Sequence, residues 1–300
     1  MVIASDSAKD IEAAKAFGLP CKFLLLDAAT VSRRFPIHGH VTHATYYRVF
    51  LPALLAAEYD RLLYLDTDIY VHSAPIFGLL SLDMGGNAIA GVHDLWTCFM
   101  DTGPAVIERR DALSKPDNKY VNAGVLLIDV AAYAEREIER KAVAAIVAGK
   151  VQLGDQSAIN RALDGDWLPL SPAFNTTGLH WQSFSRKVLE PVIVHFAGSA
   201  KPWHGPRFAA DHPARGDMER YLVTTPWKGF FARFYSFKDA WSALGRQNAP
   251  GATPPARIVS PEPLKPVEAK RFAEHLRTTA FADVEQGITT LHLEFIPPGL

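Results

Sequence analysis

Two aspartates behind an apolar run are the residues whose type and spacing most strongly suggest chemistry. Residues 61–65 are typical of a central parallel strand, and Asp66 and Asp68 follow them directly. In a continuing strand the two carboxylates would share one face. Two hard oxygen ligands on one face suit Mg²⁺ or Mn²⁺, which complete their shell with water and phosphate oxygens. The pattern leaves a second interpretation open, because such aspartates also bond nearby backbone in ordinary turns.

Residues 192–204 contain the other groups that a metal and diphosphate site would need. An apolar strand is interrupted by His195, and a loop with Gly198 and Ser199 precedes Lys201. The loop offers backbone donors to a phosphate, and the lysine adds a positive charge. A histidine at a strand end is also commonly a structural residue. With His195 as a third ligand and Lys201 on the diphosphate, the aspartates predict a nucleotide-diphosphate site.

Composition narrows the classes of protein to consider. The 300 residues are 48% hydrophobic and 21% charged, which is ordinary for a globular protein, and the net charge of −1 does not favour nucleic-acid binding. Cys21 and Cys98 are too few for a disulfide framework, so we expect a reducing cytoplasm. The first ten residues lack the apolar core of a signal peptide. No stretch approaches the roughly 18 apolar residues of a membrane-spanning helix, so any membrane contact would be peripheral.

Strands and helices alternate up to about residue 200. We predict helices over residues 5–18 (with Ser5 or Asp6 as N-cap), 45–59 and 131–148, and strands over 21–26, 61–65, 88–92 and 125–128. Alternation of this kind predicts an α/β fold with a mainly parallel sheet flanked by helices. Ligands of such sheets bind beyond the carboxyl ends of the strands, where Asp66 and Asp68 fall.

Six blocks of sequence carry a resemblance to a known family. In order along the chain they are HATYYRVFLP, DRLLYLDTDIYV, GVHDLW, YVNAGVLLIDV, LGDQSAIN and VHFAGSAKPWH. In this order and spacing they resemble glycosyltransferase family 8, especially the bacterial lipopolysaccharide and lipooligosaccharide galactosyl- and glucosyltransferases, over about residues 1–205. The resemblance implies a glycosyltransferase A type domain, Mn²⁺ with Mg²⁺ as an alternative, a UDP-hexose donor, and a saccharide or lipid-linked saccharide acceptor. It also implies transfer with retention at the anomeric carbon.

The resemblance assigns the metal and diphosphate contacts residue by residue. Asp66, Asp68 and His195 match the metal ligands of the family. Gly198 and Lys201 match the contacts to the donor diphosphate, with Lys201 neutralising the leaving group.

Other matching positions are expected around the donor sugar. By the resemblance, Arg48 lies near the donor, Asn122 and Gly124 line the sugar pocket, and Asp94, Asp155 and Gln156 surround the reacting sugar. Simpler interpretations are a helix-surface arginine paired with a carboxylate for Arg48, a turn for Asn122 and Gly124, and a surface cap or turn for the two aspartates. The glutamine stands where a carboxylate nucleophile would be sought, which favours front-face displacement, with the departing phosphate taking the acceptor proton.

The beginning of the chain departs from the family pattern. Family members begin with a strand whose acidic end grips the nucleotide base and ribose, followed by a helix and a second strand. MVIAS reads best as that second strand, so the first strand and helix are expected to be absent. The sheet would then have an open edge and an incomplete uridine pocket. A rival alignment places VIASD on the first strand and makes Asp6 a nucleotide contact. An alternative function is therefore a catalytically impaired protein that binds metal and nucleotide sugar. A metal-dependent hydrolase of nucleotide sugars is less favoured, since Asp155 is the one candidate base.

The remaining sequence divides the chain further. We predict a catalytic domain at 1–210, a helical extension at 211–249, a linker with six prolines at 250–266 and a small tail at 267–300. Residues 221–246 carry eight aromatic residues with basic neighbours, which suit either docking on anionic lipid at the inner membrane or packing on the catalytic domain. In the tail we predict a helix over residues 269–281 and a short strand through Leu291, Leu293 and Phe295.

Overall fold

The computed structural model describes residues 1–16, 18, 20–27, 35–36, 42–100, 104–115, 119–149, 151, 153–183, 188, 190–198, 220, 223–224 and 264–296. Lys201, nearly all of the 211–249 extension and the linker up to residue 263 lie outside these residues. Contacts divide the chain into two compact units. The first unit comprises Met1–Leu65, Phe77–Ser171 and Thr279–Ile288, and the second comprises Asp66–Ile76, Pro172–Thr278 and Thr289–Leu300. The division into domains drawn from the sequence stays a prediction.

Strands and helices alternate through most of the described residues. The strands are β1 (Val2–Ser5), β2 (Lys22–Leu25), β3 (Arg61–Leu65), β4 (Ile69–Val71), β5 (Ile89–His93), β6 (Val121–Asp129), β7 (Leu168–Pro169) and β8 (Ile193–His195). The α-helices are α1 (Ala8–Lys15), α2 (Tyr47–Leu55), α3 (Leu95–Phe99), α4 (Pro104–Ala112), α5 (Val130–Glu135), α6 (Ile138–Val147), α7 (Asp155–Leu163), α8 (Gly178–Ser183), α9 (Pro266–Thr278) and α10 (Ala282–Glu285). Short 3₁₀ helices lie at His43–Tyr46, Ala74–Ser81, Pro172–Asn175 and Leu293–Phe295.

The main sheet of the first unit is mixed. Its strand order is β3-β6-β5-β7, with β6 antiparallel to both neighbours and β5 parallel to β7. A two-stranded parallel sheet joins β1 to β2, and in the second unit β4 pairs antiparallel with β8. The α/β class is therefore confirmed, but the sheet is not mainly parallel, and β3 pairs antiparallel with β6. Apolar runs predict strands without encoding their direction, so this part of the prediction was wrong. Which family strand β1 represents stays a prediction.

The core of the first unit explains why β6 forms the centre of the sheet. The first eight residues of β6 are all buried, as expected of a strand covered on both faces. Side chains from α2, α6 and α7 pack against β5 and β6, and Trp167, Tyr46 and Leu126 are among the largest fully buried residues. This packing fixes the ends of β5 and β6, from which several polar side chains project.

All three helices predicted before residue 150 differ from those observed. The one at 45–59 is α2 (Tyr47–Leu55), preceded by the 3₁₀ helix His43–Tyr46. The predicted helix at 131–148 is divided into α5 and α6 because Glu137 adopts a left-handed backbone with φ of 54°. The division lets α5 bury Tyr133, whose hydroxyl donates to the Val49 carbonyl oxygen at 3.0 Å, while α6 buries Ile138 and Ala142. The N-cap of α1 is Ser7 rather than Ser5 or Asp6, since the Ser7 side chain accepts the Asp10 amide.

The tail contains one confirmed and one incorrect prediction. The predicted helix at 269–281 is confirmed as α9, although it begins three residues earlier and ends at Thr278. The predicted strand through Leu291, Leu293 and Phe295 is wrong, because Phe295 and Ile296 donate their amides three residues back and form a 3₁₀ turn. Within the described part of the chain, no helix combines the length and apolar character needed to cross a membrane.

Candidate functional site

The two aspartates lie in the turn between β3 and β4, and not in a continuing strand as their spacing had suggested. The second unit places His195 beside them, because Ile69 pairs with His195 across β4 and β8. The Phe196 amide also donates to the Asp68 carbonyl oxygen at 3.0 Å. Strand pairing therefore brings together residues more than 120 positions apart in the sequence.

The side chains of Asp66, Asp68 and His195 form a candidate metal site. His195 Nε2 lies 3.4 Å from Asp68 Oδ1 and 3.9 Å from Asp66 Oδ2, and one ligating atom from each residue lies within 4.8 Å of the others. Two carboxylates and one imidazole are a donor set that fits Mn²⁺ or Mg²⁺. His195 is buried while both aspartates are partly exposed, so water or phosphate oxygens could complete the coordination shell.

His195 has a buried partner that the sequence interpretation missed. Its Nδ1 lies 2.8 Å from Oδ1 of Asn175, the last residue of the 3₁₀ helix Pro172–Asn175. Asn175 follows the apolar residues 172–174 and precedes two threonines, so little in the sequence distinguished it, and its contact with His195 depends on how this segment pairs with β8.

Gly198 follows β8 in an exposed position with φ of +87°. A side chain is disfavoured in this backbone conformation, which explains the glycine. Lys201 and Ser199 lie outside the described residues, so the phosphate-binding role of this loop stays a prediction.

Asn122 and Gly124 lie in an irregular part of β6. His93 pairs with Val121, whereas Gly91 pairs with Leu126, so β6 has extra residues between these two pairs. An irregularity of this kind turns side chains away from the regular sheet positions. Asn122 Oδ1 accepts the Gly124 amide at 3.0 Å, which confirms a local turn-like bond and fixes the asparagine side chain.

The carboxylate of Asp94 connects this irregular segment to α3 and α7. Its Oδ1 accepts the Thr97 amide at 2.7 Å and caps α3. Its Oδ2 accepts from Asn122 Nδ2 at 2.8 Å and lies 3.4 Å from Gln156 Nε2. Gln156 Oε1 in turn accepts the Ala123 amide at 3.0 Å. Asp94, Asn122 and Gln156 thus form one continuous hydrogen-bond network.

Asp155 is held by a buried ion pair. Its Oδ2 lies 2.8 Å from Arg48 Nε, and its Oδ1 accepts the Thr45 hydroxyl at 2.6 Å. The Arg48 guanidinium also donates to the Ala123 carbonyl oxygen at 2.5 Å and lies over the Tyr64 ring at 4.9 Å. Arg48 is therefore paired with a carboxylate, as its simpler interpretation supposed, but it is buried and does not lie on the helix surface. Thr45 was missed, although its position one helical turn before Arg48 could have indicated a shared partner.

Burial shapes the electrostatics around this network. Burial, and secondarily the Asp155 charge, raise the pKa of Tyr46. Burial also raises the pKa of Glu108, whose carboxylate accepts the Tyr120 hydroxyl at 2.7 Å. In such surroundings water competes weakly for charged and polar groups, so the hydrogen bonds of this network hold their donors and acceptors in place.

The described residues therefore contain two groups of predicted site residues. The second unit brings together Asp66, Asp68 and His195 as a candidate metal site. The first unit brings together a set that we call the polar network: Arg48, Asp94, Asn122, Asp155 and Gln156. Gly124 is joined to this network through Asn122.

Comparisons with known proteins give consistent results. Residues 8–206 match the family model described as glycosyl transferase family 8. General stress protein A of Bacillus subtilis (strain 168) is 29% identical over 229 residues, which cover 70% of this chain and 75% of that protein. The lipopolysaccharide 1,2-glucosyltransferase of Escherichia coli (strain K12) is 29% identical over 200 residues, covering 62% of this chain and 56% of that protein.

Solved structures are similar at lower sequence identity. The galactosyltransferase LgtC in complex with donor and acceptor sugar analogs matches with a TM-score of 0.54 and 20% identity, covering 80% of this chain and 98% of that one. The apo structure of WbbM, a bifunctional glycosyltransferase, matches with a TM-score of 0.55 and 21% identity, covering 71% and 41%. At these identities the likeness concerns the fold alone, and it confirms the expected glycosyltransferase A type.

Proposed function

Because the chain belongs to glycosyl transferase family 8, and is therefore a glycosyltransferase, we propose that it transfers galactose or glucose from a UDP-sugar to a cell-envelope saccharide such as lipopolysaccharide. The proposed acceptor is supported by a relative that is named as a lipopolysaccharide glucosyltransferase. The proposed reaction proceeds with retention at the anomeric carbon and depends on Mn²⁺, with Mg²⁺ as an alternative.

The observation that carries the proposal is the convergence of Asp66, Asp68 and His195. Their ligating atoms lie within 4.8 Å of one another. A divalent ion held by these residues would neutralise charge on the UDP leaving group. The two aspartates point to a hard cation, and their partial exposure allows a diphosphate oxygen to join the coordination shell.

We propose that the polar network binds the donor sugar. Asp155 is held in place by Arg48 and Thr45, so its carboxylate is suited to orient sugar hydroxyls. Asp94 and Asn122 would contribute further acceptors and donors. Their mutual hydrogen bond holds both side chains in a fixed orientation for this role. Gly124 lies in the same irregular segment of β6, and its amide donates to Asn122 Oδ1.

The chemistry of Gln156 supports a front-face route for the proposed retaining transfer. Its Oε1 accepts the Ala123 amide, and a neutral amide is a weaker nucleophile than a carboxylate. Asp155, the neighbouring carboxylate, is engaged by Arg48. We therefore favour front-face displacement, in which the departing diphosphate oxygen takes the proton of the acceptor hydroxyl while the new glycosidic bond forms on the face that UDP leaves.

Asp68→Asn provides the test of the proposed function. The variant removes one carboxylate charge from the metal site, and we expect turnover of UDP-galactose or UDP-glucose in Mn²⁺ to fall by more than about 100-fold. EDTA should abolish turnover by the unaltered protein, and added Mn²⁺ should restore it. Asp60→Asn is the matched control, because this exposed carboxylate precedes β3 on the same stretch of chain.

The outcomes separate the proposed function from its alternative. Full turnover in Asp68→Asn would contradict the proposed metal site. Binding of UDP and Mn²⁺ in calorimetry without turnover of either sugar nucleotide would favour the non-catalytic binding protein. With an acceptor that supports transfer, proton NMR of the product should show the anomeric configuration of the donor, and inversion would refute the front-face mechanism.

A further inference from the structure

We propose that Asn175 is a positioning residue that orients His195 for binding of the divalent cation. The inference rests on the proposed metal site, and it assigns a role to a residue outside the ligand set. His195 Nδ1 lies 2.8 Å from Asn175 Oδ1, while the opposite ring nitrogen, Nε2, faces Asp68 and Asp66. One ring nitrogen of the imidazole therefore contacts the amide, and the other lies near the carboxylates.

The backbone fixes Asn175 relative to His195. The Val192 amide donates to the Ala173 carbonyl oxygen at 2.8 Å, and the Thr176 amide donates to the Ile193 carbonyl oxygen at 2.9 Å. The His195 amide then donates to the Thr176 carbonyl oxygen at 2.9 Å. Backbone hydrogen bonds on both sides of Asn175 thus hold its segment against β8, and the contact between the two side chains does not depend on a flexible connection.

The hydrogen bond selects which nitrogen carries the proton. An amide oxygen accepts, so the contact with Asn175 places the proton on Nδ1 and leaves the lone pair of Nε2 directed toward the aspartates. The other neutral tautomer would place a proton on Nε2, which lies 3.4 Å from Asp68 Oδ1, and would leave that nitrogen without a lone pair for a cation. Partners of this kind commonly orient metal-binding histidines.

Burial makes this contact difficult to replace. Asn175 is 0% exposed and His195 is 5% exposed, so bulk water has little access to the Nδ1 position. If the amide were removed, Nδ1–H would lose its acceptor in a buried setting. The imidazole would then be expected to rotate or to change tautomer, and both changes misdirect Nε2.

Three substitutions test the inference in the full chain. Asn175→Leu keeps the approximate size but removes the acceptor, and we expect Mn²⁺ affinity to fall about 10- to 100-fold. Asn175→Asp keeps an acceptor for Nδ1–H, and we expect an affinity close to that of the unaltered protein. Thr176→Val is the matched control, because the neighbouring Thr176 is equally buried and its hydroxyl donates to the Pro172 carbonyl oxygen.

Mn²⁺ affinity is measured from the electron paramagnetic resonance signal of free Mn²⁺, and thermal unfolding is recorded for each variant. A purely structural role for Asn175 would lower thermal stability without the difference in affinity between the leucine and aspartate variants. Equal Mn²⁺ affinity in Asn175→Leu and the unaltered protein would therefore overturn the inference. Absence of Mn²⁺ binding by the unaltered protein would instead refute the metal site itself, together with the inference that rests on it.

Nitrogen NMR of protein labelled with ¹⁵N-histidine and loaded with Mg²⁺ gives a second readout. The His195 signals are identified by their loss in His195→Gln. We expect a proton on Nδ1 and none on Nε2, and a protonated Nε2 in the metal-loaded protein would contradict the proposed role of Asn175 even if the protein transfers sugar.

Discussion

The buried ion pair between Arg48 and Asp155 predicts that one substitution has opposite effects in two backgrounds. Asp155→Asn should destabilise the unaltered protein, because Arg48 then loses its carboxylate partner at 2.8 Å. In an Arg48→Met background the same substitution should be neutral or stabilising, because it removes a buried carboxylate that lacks its cation.

The magnitude follows from the distance and the burial of the pair. At 2.8 Å and an effective dielectric constant of about 20, the attraction between two unit charges is about 6 kcal/mol. Desolvation of both groups offsets several kcal/mol of this attraction. We expect Arg48→Met to lower the free energy of unfolding by about 3 to 5 kcal/mol. Asp155→Asn alone should cost about 2 kcal/mol, since Arg48 keeps its contacts with Ala123 and Tyr64.

Urea unfolding of the four proteins in the double-mutant cycle measures this coupling. The exposed pair between Arg136 and Asp166 is the matched control, and its cycle should give a coupling below about 1 kcal/mol. Equal costs of Asp155→Asn in both backgrounds would refute the reasoning, because they would show that the charges do not stabilise one another.

Two further predictions concern stability. Burial lowers the pKa of His180 from 6.5 to about 3, with smaller contributions from His275 and His195. As the pH falls, the His180 imidazole therefore takes up a proton in the unfolded chain at a higher pH than in the folded chain. The stability of the folded state, fully present above about pH 6.5, is lost as the pH falls toward 3. Between pH 7.5 and pH 5 the loss should be about 2 kcal/mol smaller in His180→Phe, as measured by urea unfolding, and an unchanged pH dependence would contradict this explanation. Gly154→Ala should cost about 1 to 3 kcal/mol, because Gly154 has φ of +59° and a Cβ would lie 3.3 Å from the Tyr46 hydroxyl. Unfolding of this variant at the same urea concentration as the unaltered protein would show that the turn before α7 is not strained.

Local patterns in the sequence predicted many of the elements but not how they are arranged. The apolar run at β3 was predicted with its observed bounds, because a short apolar segment before polar residues is a strong strand signal. The division between α5 and α6 was not predictable, since Glu137 adopts a backbone conformation that its residue type does not favour. Strand direction was also missed, because it is decided by packing between distant segments.

In the candidate site, the metal-binding side chains were predicted from the sequence, whereas the residues that hold site side chains in place were not. Asp66, Asp68 and His195 were predicted as metal ligands because carboxylates and imidazoles commonly bind metal ions and because their sequence blocks resemble a known family. The structure brings the three side chains together. Thr45 and Asn175 were missed, because threonine and asparagine are common in many settings. Their contacts with Asp155 and His195 follow from tertiary pairing, which no spacing within the sequence reveals.

The pairing of β4 with β8 has a consequence for biosynthesis. Ile69 leaves the ribosome well before His195, its partner in the register. His195 lies 126 positions after Ile69. At about 5 to 20 residues per second this stretch takes roughly 6 to 25 seconds to synthesise. During that interval the apolar strand Ile69–Val71 must wait for β8 to be made, and nascent chains in this state are prone to pair with other strands. The register that brings the candidate metal ligands together therefore also leaves Ile69–Val71 without its partner strand for most of that interval.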